Sequence, residues 1–128
     1  MKNHRLITKL HSGFTLIEVL LALTVIAIAL TALLKALAQN VENTRRIKEK
    51  TISHWIAVQG VSMIQLNMLQ INPSQETTQD TIMFGEHWYW RAKIIATPQK
   101  SIQQISISVS TQKIGPYREE LQAFRYVP

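Results

Sequence analysis

FTLIEVLLALTVIAIALTALL, residues 14–34, is interrupted in its apolar run only by Thr15, Glu18, Thr24 and Thr31. A helix of about 20 such residues crosses the roughly 30 Å hydrocarbon core of a bilayer. With no Gly or Pro inside it, the segment favours an unbroken helix. In a chain of 128 residues there is room for one small domain and this one element. So small a domain cannot enclose a helix that is hydrophobic all round, which argues against a buried soluble core helix.

The formal charge is +6, but its distribution is uneven. Lys2, Arg5 and Lys9 precede the apolar run with no acid among them; without residues 1–13 the formal charge falls to +3. Arg45, Arg46, Lys48 and Lys50 are interspersed with Glu42 and Glu49, the pattern of a solvated helix face rather than a recognition surface, so no nucleic-acid partner is expected. There is no cysteine, so an extracytoplasmic fold would be held by packing alone. Charge counting leaves the orientation of the span undecided, because Lys35 and the 45–50 cluster follow it as closely as the leader cations precede it.

An ordinary secretory signal is one reading of the N-terminus, with Ala36-Leu37-Ala38 as a small-x-small cleavage site. Against it stand an apolar run longer than the usual h-region of about 7–15 residues, Lys35 beside the cleavage motif, and Glu18 inside the run. A carboxylate there costs a few kcal/mol, about 2.5–3.5 at the bilayer centre and less near the interface, unless a partner compensates it. Two readings of Glu18 stay open on this ground: a paired charge that sets register, or an idle group at headgroup level.

Gly13-Phe14-Thr15-Leu16-Ile17-Glu18, after a basic leader and before an apolar helix, resembles the processing site of type IV pilins and pseudopilins. The resemblance implies cleavage after Gly13 by a prepilin peptidase on the cytoplasmic side and N-methylation of the new terminal Phe14. It further implies that Glu18, the fifth mature residue, faces the amino group of an adjacent subunit during assembly. It also implies a single-pass inner-membrane protein with a cytoplasmic N-terminus and a periplasmic C-terminal domain.

Downstream, no Gly or Pro falls between Phe14 and Val58. Ile52, Trp55, Ile56, Met63, Leu66 and Met68/Leu69 recur at three- and four-residue steps, which predicts an amphipathic continuation of the helix to about Leu69, stopped by Asn72-Pro73-Ser74. This stripe reads as core, with Trp55 anchoring the helix to a following sheet, and Gly60 within it as a point of close packing. Residues 74–80 read as a polar loop. The period then becomes two. Trp88, Trp90, Ala92, Ile94 and Ala96 share one strand face, and Ile105, Ile107 and Val109 alternate with Ser106, Ser108 and Ser110, which read as the solvent side. Leu121–Val127 forms a last strand, a short strand fits around Ile82–Phe84, and Gly115-Pro116 marks a turn.

The predicted fold is α+β, a long N-terminal helix packed at its C-terminal half on an antiparallel sheet of three to four strands. Its parts are a leader at 1–13, a membrane half at 14–38, an amphipathic half at 39–71 and a sheet at 72–128, the last two forming one domain. Glu49-Lys50-Thr51, Trp55-Ile56-Ala57 and Trp88-Tyr89-Trp90-Arg91 resemble the subunit I family of minor pseudopilins of type II secretion systems. That resemblance implies a structural subunit of a periplasmic pseudopilus tip, with subunits J and K and the major pseudopilin as partners. A minor pilin of a type IV pilus or DNA-uptake system would share Gly13, Phe14 and Glu18.

No catalytic residue is expected. The four histidines form no H-x-x-x-H pair, and the four glycines form no phosphate loop. Glu119-Glu120 is too few oxygens for the six to eight of a calcium site, so neither metal nor cofactor is expected.

Overall fold

The computed structural model describes residues 13–128, so the leader cations Lys2, Arg5 and Lys9 lie outside the described residues. One 50-residue helix, α1 (Leu16–Gln65), is followed by strands β1 (Thr77–Met83), β2 (Glu86–Ala96), β3 (Ile102–Ser110) and β4 (Arg118–Tyr126). The strands form one antiparallel sheet in the order β1-β2-β3-β4. The architecture is α+β with four strands, as the periodicities predict. The chain divides into two compact units, one ending at Asn43 and one spanning Thr44–Pro128.

In the first unit the helix is apolar and exposed, and α1 is the one helix among the described residues long and apolar enough to cross a membrane. Its interior hydroxyls make no demand on the surroundings. Thr24 donates to the Leu20 carbonyl and Thr31 to the Ala27 carbonyl, each at 2.8 Å. A hydroxyl bonded to the preceding turn is satisfied without water.

The second unit has a single core. Ile52, Ile56, Ala57, Gly60, Val61 and Ile64 line the buried face of α1. They meet Trp88, Trp90, Ala92 and Ile94 of β2 and Ile105, Ile107 and Val109 of β3 in one cluster. Gly60 lies at a close approach of helix and sheet. A Cβ placed on it would stand 2.8 Å from Ile107 Cδ1 and 3.0 Å from Trp90 Cζ3. The expectation of close packing at Gly60 therefore holds, and the roughly 1 kcal/mol that glycine costs a helix is offset by the contact it permits.

Four sequence expectations need correction. The apolar stripe combined two faces: Ile52 and Ile56 are buried, but Trp55 is 51% exposed and Leu66 and Met68 more so. Successive residues lie about 100° apart around a helix, so Trp55 points well away from its neighbour Ile56. Its ring centroid lies 6.2 Å from that of Phe84, in the β1–β2 turn.

The helix also ends earlier, at Gln65, and by a different device. Asn67 takes φ 55°, the Met68 N–H donates to the Met63 carbonyl at 2.9 Å and the Asn67 N–H to the Ile64 carbonyl at 3.1 Å. This pair of bonds is a Schellman cap with Asn67 in the left-handed position. Asn67→Val is expected to lower stability by about 1–2 kcal/mol, the cost of forcing a β-branched residue into that region, while Asn67→Gly leaves it level or higher. Chemical denaturation of the two variants side by side checks this.

The loop read over 74–80 is in part strand. Thr77 to Asp80 pair with Ala92 to Tyr89, so β1 begins inside the polar run. Finally, Ser106 and Ser110 are buried, not solvated. They sit on the central strand β3, where Ser106 lies between Lys93 and Gln122 and Ser110 faces Tyr89. The longer cross-strand side chains cover the short ones.

Strand β4 carries a bulge. Ile107 pairs with Leu121 and Ser108 with Glu119, leaving Glu120 as the extra residue. A bulge re-aims a side chain, and here the Glu120 carboxylate accepts a 3.1 Å bond from the Ser53 hydroxyl of α1.

Candidate functional site

Residues 13–15 have no regular structure, and α1 starts at Leu16. Phe14 is 87% exposed, and a Cβ built on Gly13 would meet nothing within 4 Å. The Gly13–Phe14 peptide bond thus stands clear of the helix in open space, the condition for a peptidase to take a bond in extended form.

Thr15 and Glu18 hold each other. The Glu18 N–H donates to Thr15 Oγ1, and the Thr15 N–H donates to Glu18 Oε2, both at 3.2 Å. This reciprocal pair is a capping box, with Thr15 as N-cap and Glu18 three residues in. It satisfies two backbone donors that a helix start leaves open. It also sets a carboxylate at the positive end of the helix dipole. The T-x-x-E spacing of Thr15 and Glu18 is a sequence signature of such a cap. Glu18 accordingly has work within its own chain.

Of the sequence-derived residues, Gly13 and Phe14 therefore precede the helix and Glu18 lies in its first turn. The second set of residues is dispersed through the packing of the other unit: Ile56, Ala57, Trp88 and Trp90 are buried, while Trp55 is not. Among the described residues, no group of three His, Asp or Glu stands close enough to hold a metal ion.

A prokaryotic N-terminal methylation motif matches residues 8–34, and the model of type II secretion system (T2SS), protein I matches residues 47–127. The chain belongs to the type II secretion system protein I family. Similar relatives carry that name in full. The Pseudomonas aeruginosa protein is 34% identical over 119 residues, covering 90% of this chain and 91% of its own. The Escherichia coli protein is 33% identical over 98 residues, 77% of this chain and 79% of its own. The Vibrio cholerae protein is 27% identical over 101 residues, with coverage of 79% and 84%. No solved structure gives a significant match.

Within the type II secretion protein I family, the two matched regions divide the chain's chemistry. The methylation motif covers the capped helix start and the apolar run, whereas the protein I match covers the packed unit. Trp88 and Trp90, within the protein I match, are core residues, and the methylation motif lies wholly at the N-terminal end.

Proposed function

We propose that this chain is a minor pseudopilin, a structural subunit rather than a catalyst, that enters the tip of a periplasmic pseudopilus and helps to start its assembly. The observation that carries the reading is the capped, fully exposed apolar helix set directly behind Gly13–Phe14. A prepilin peptidase removes residues 1–13 after Gly13, and Phe14 becomes the methylated N-terminus. The span then lies in the inner membrane with its N-terminus cytoplasmic and the Thr44–Pro128 unit periplasmic.

Subunits J and K and the major pseudopilin are the partners, reached through the apolar face of Leu16–Leu34. Glu18 meets the N-terminal ammonium of a neighbouring subunit. Leaving the bilayer, such a helix needs side-by-side partners of equal apolarity, and a desolvated carboxylate needs a cation. The Thr15 N–H does not neutralise that charge.

N-terminal sequencing and intact mass of the protein from native membranes test the reading. A chain starting at N-methylated Phe14 is expected. A chain starting near Gln39 would end it in favour of an ordinary signal peptide, and one retaining residues 1–13 would remove the processing step.

A further inference from the structure

The sheet has two edge strands, β1 and β4, and they are not alike. β4 is guarded. It carries Arg118, Glu119, Glu120 and Arg125, and its pairing is interrupted by the bulge at Glu120. From α1, the Gln65 side chain donates to the Phe124 carbonyl at 3.5 Å and Ser53 holds Glu120. Charges, bulges and covering side chains are the devices that keep a sheet edge from pairing with other chains. β1 lacks them. Its seven residues include no Lys, Arg, Gly or Pro, and all seven pair with β2 without a shift in register. Among the described residues, no backbone hydrogen bond reaches β1 from any element but β2.

The open strand presents a defined row of side chains. Thr78, Asp80 and Ile82 are exposed and stand across from Arg91, Tyr89 and His87. Gln79, Thr81 and Met83 point to the other face, across from Trp90, Trp88 and Glu86, and are half-buried. Among the described residues no cation pairs with Asp80. Arg91, diagonal to it on β2, is engaged elsewhere. Its Nε donates to Thr78 Oγ1 at 3.3 Å, while its guanidinium stands 4.0 Å from Glu76 and 3.9 Å over the Tyr117 ring. A carboxylate without a counter-charge, at the centre of an open edge, suits a cation on the next strand. Ile82 beside it is 67% exposed and leaves apolar area for the same neighbour to cover.

We propose that β1 is an acceptor edge for an extended segment of another protein, added antiparallel to it and reading apolar-x-Lys/Arg-x-Thr. Those three residues stand opposite Ile82, Asp80 and Thr78. The inference goes beyond the filament-subunit reading and does not depend on it, since it concerns the Thr44–Pro128 unit alone. Main-chain bonds to the open edge supply affinity, and side chains along the exposed row supply selection. The antiparallel sense follows the rest of the sheet and the somewhat better bonds of antiparallel pairs. Charge decides against a second copy. Two copies of β1 paired antiparallel over their full length would set Asp80 against Asp80, and like charges directly opposite destabilise a pair. One carboxylate thus rejects self-pairing and selects a partner strand with a cation.

The test uses the full chain in detergent and a blocked peptide matching β1 in length, Thr-Val-Thr-Lys-Thr-Thr-Thr. Amide hydrogen exchange read by mass spectrometry locates the peptide, and anisotropy of a labelled form gives its affinity. Saturating peptide is expected to slow exchange in β1 and leave β4 unchanged. Exchanging the peptide's Lys for Glu is expected to weaken binding about fivefold or more, and Asp80→Lys in the protein to reverse that preference. Main-chain pairing has a signature of its own, because an added strand points alternate amides toward its neighbour. Of two peptides N-methylated at odd or at even positions, one is expected to lose binding and the other to keep it. Equal behaviour of the methylated pair, indifference to the Lys–Glu exchange, protection outside β1, or no protection overturns the proposal. Protection of β1 that rises with protein concentration and needs no peptide gives the edge to a second copy and overturns it too.

Discussion

Glu18→Ala and Glu18→Gln are expected to lose partner association alike, by about 100-fold or more, although only the first disrupts the helix cap. Gln at the third helical position can still accept the Thr15 N–H, since the capping box works with Glu or Gln. What it lacks is charge. If Glu18 faces the ammonium of a neighbouring subunit inside the bilayer, removing the carboxylate strands that cation, at about 3–5 kcal/mol. Co-purification with pseudopilin partners from detergent-solubilised membranes reads the result, and membrane insertion should be unchanged in both variants. Recovery of association in Glu18→Gln but not in Glu18→Ala would show that the cap is the function of Glu18 and that the charge pair is not. The pair of variants separates two roles that the single alanine change merges, because the Thr15–Glu18 bonds give the carboxylate a local task.

Trp90→Ala is the second large effect, an expected loss of about 3–5 kcal/mol. Trp90 is 4% exposed, packs where Gly60 brings α1 down on the sheet, and shares the core with Ile107. Helix and sheet cannot close over the cavity, because Gly60 offers no side chain to fill it. For a unit of this size, the loss corresponds to a fall in melting temperature of more than about 12 °C. The tertiary signal of the full chain in detergent should record it. Trp55→Ala in the same assay is expected to cost no more than about 1 kcal/mol, the scale of an exposed aromatic contact. Equal losses at the two tryptophans would contradict the assignment of Trp55 to the outward face.

The contrast between those tryptophans marks the limit of the sequence reading. Where a period is regular and one face is buried, the strands could be read directly: Trp88, Trp90, Ala92 and Ile94 point inward as alternation predicts. On the helix, steps of three and four fit two faces when neither bears charge, so spacing alone does not separate Trp55 and Leu66 from the core of Ala57, Val61 and Ile64. The polar residues Thr77–Asp80 carry no strand signal of their own; they become β1 because β2 offers them an edge to pair with. Burial of Ser106 and Ser110 depends likewise on neighbours brought in from β2 and β4. At the helix start, Gly13, Phe14 and Glu18 were legible as a motif, but the motif says nothing of the bond between Thr15 and Glu18. That bond was available from spacing alone.

The strand order has a consequence for how this chain is made. Each strand pairs with the one that precedes it, and no later strand inserts between two earlier ones. The sheet can therefore grow hairpin by hairpin as the polypeptide emerges, without waiting for the C-terminus. Contacts between sequence neighbours close quickly, since short loops lose little entropy on closure. A chain delivered N-terminus first is best served by a fold that tolerates partial delivery, and a meander is such a fold.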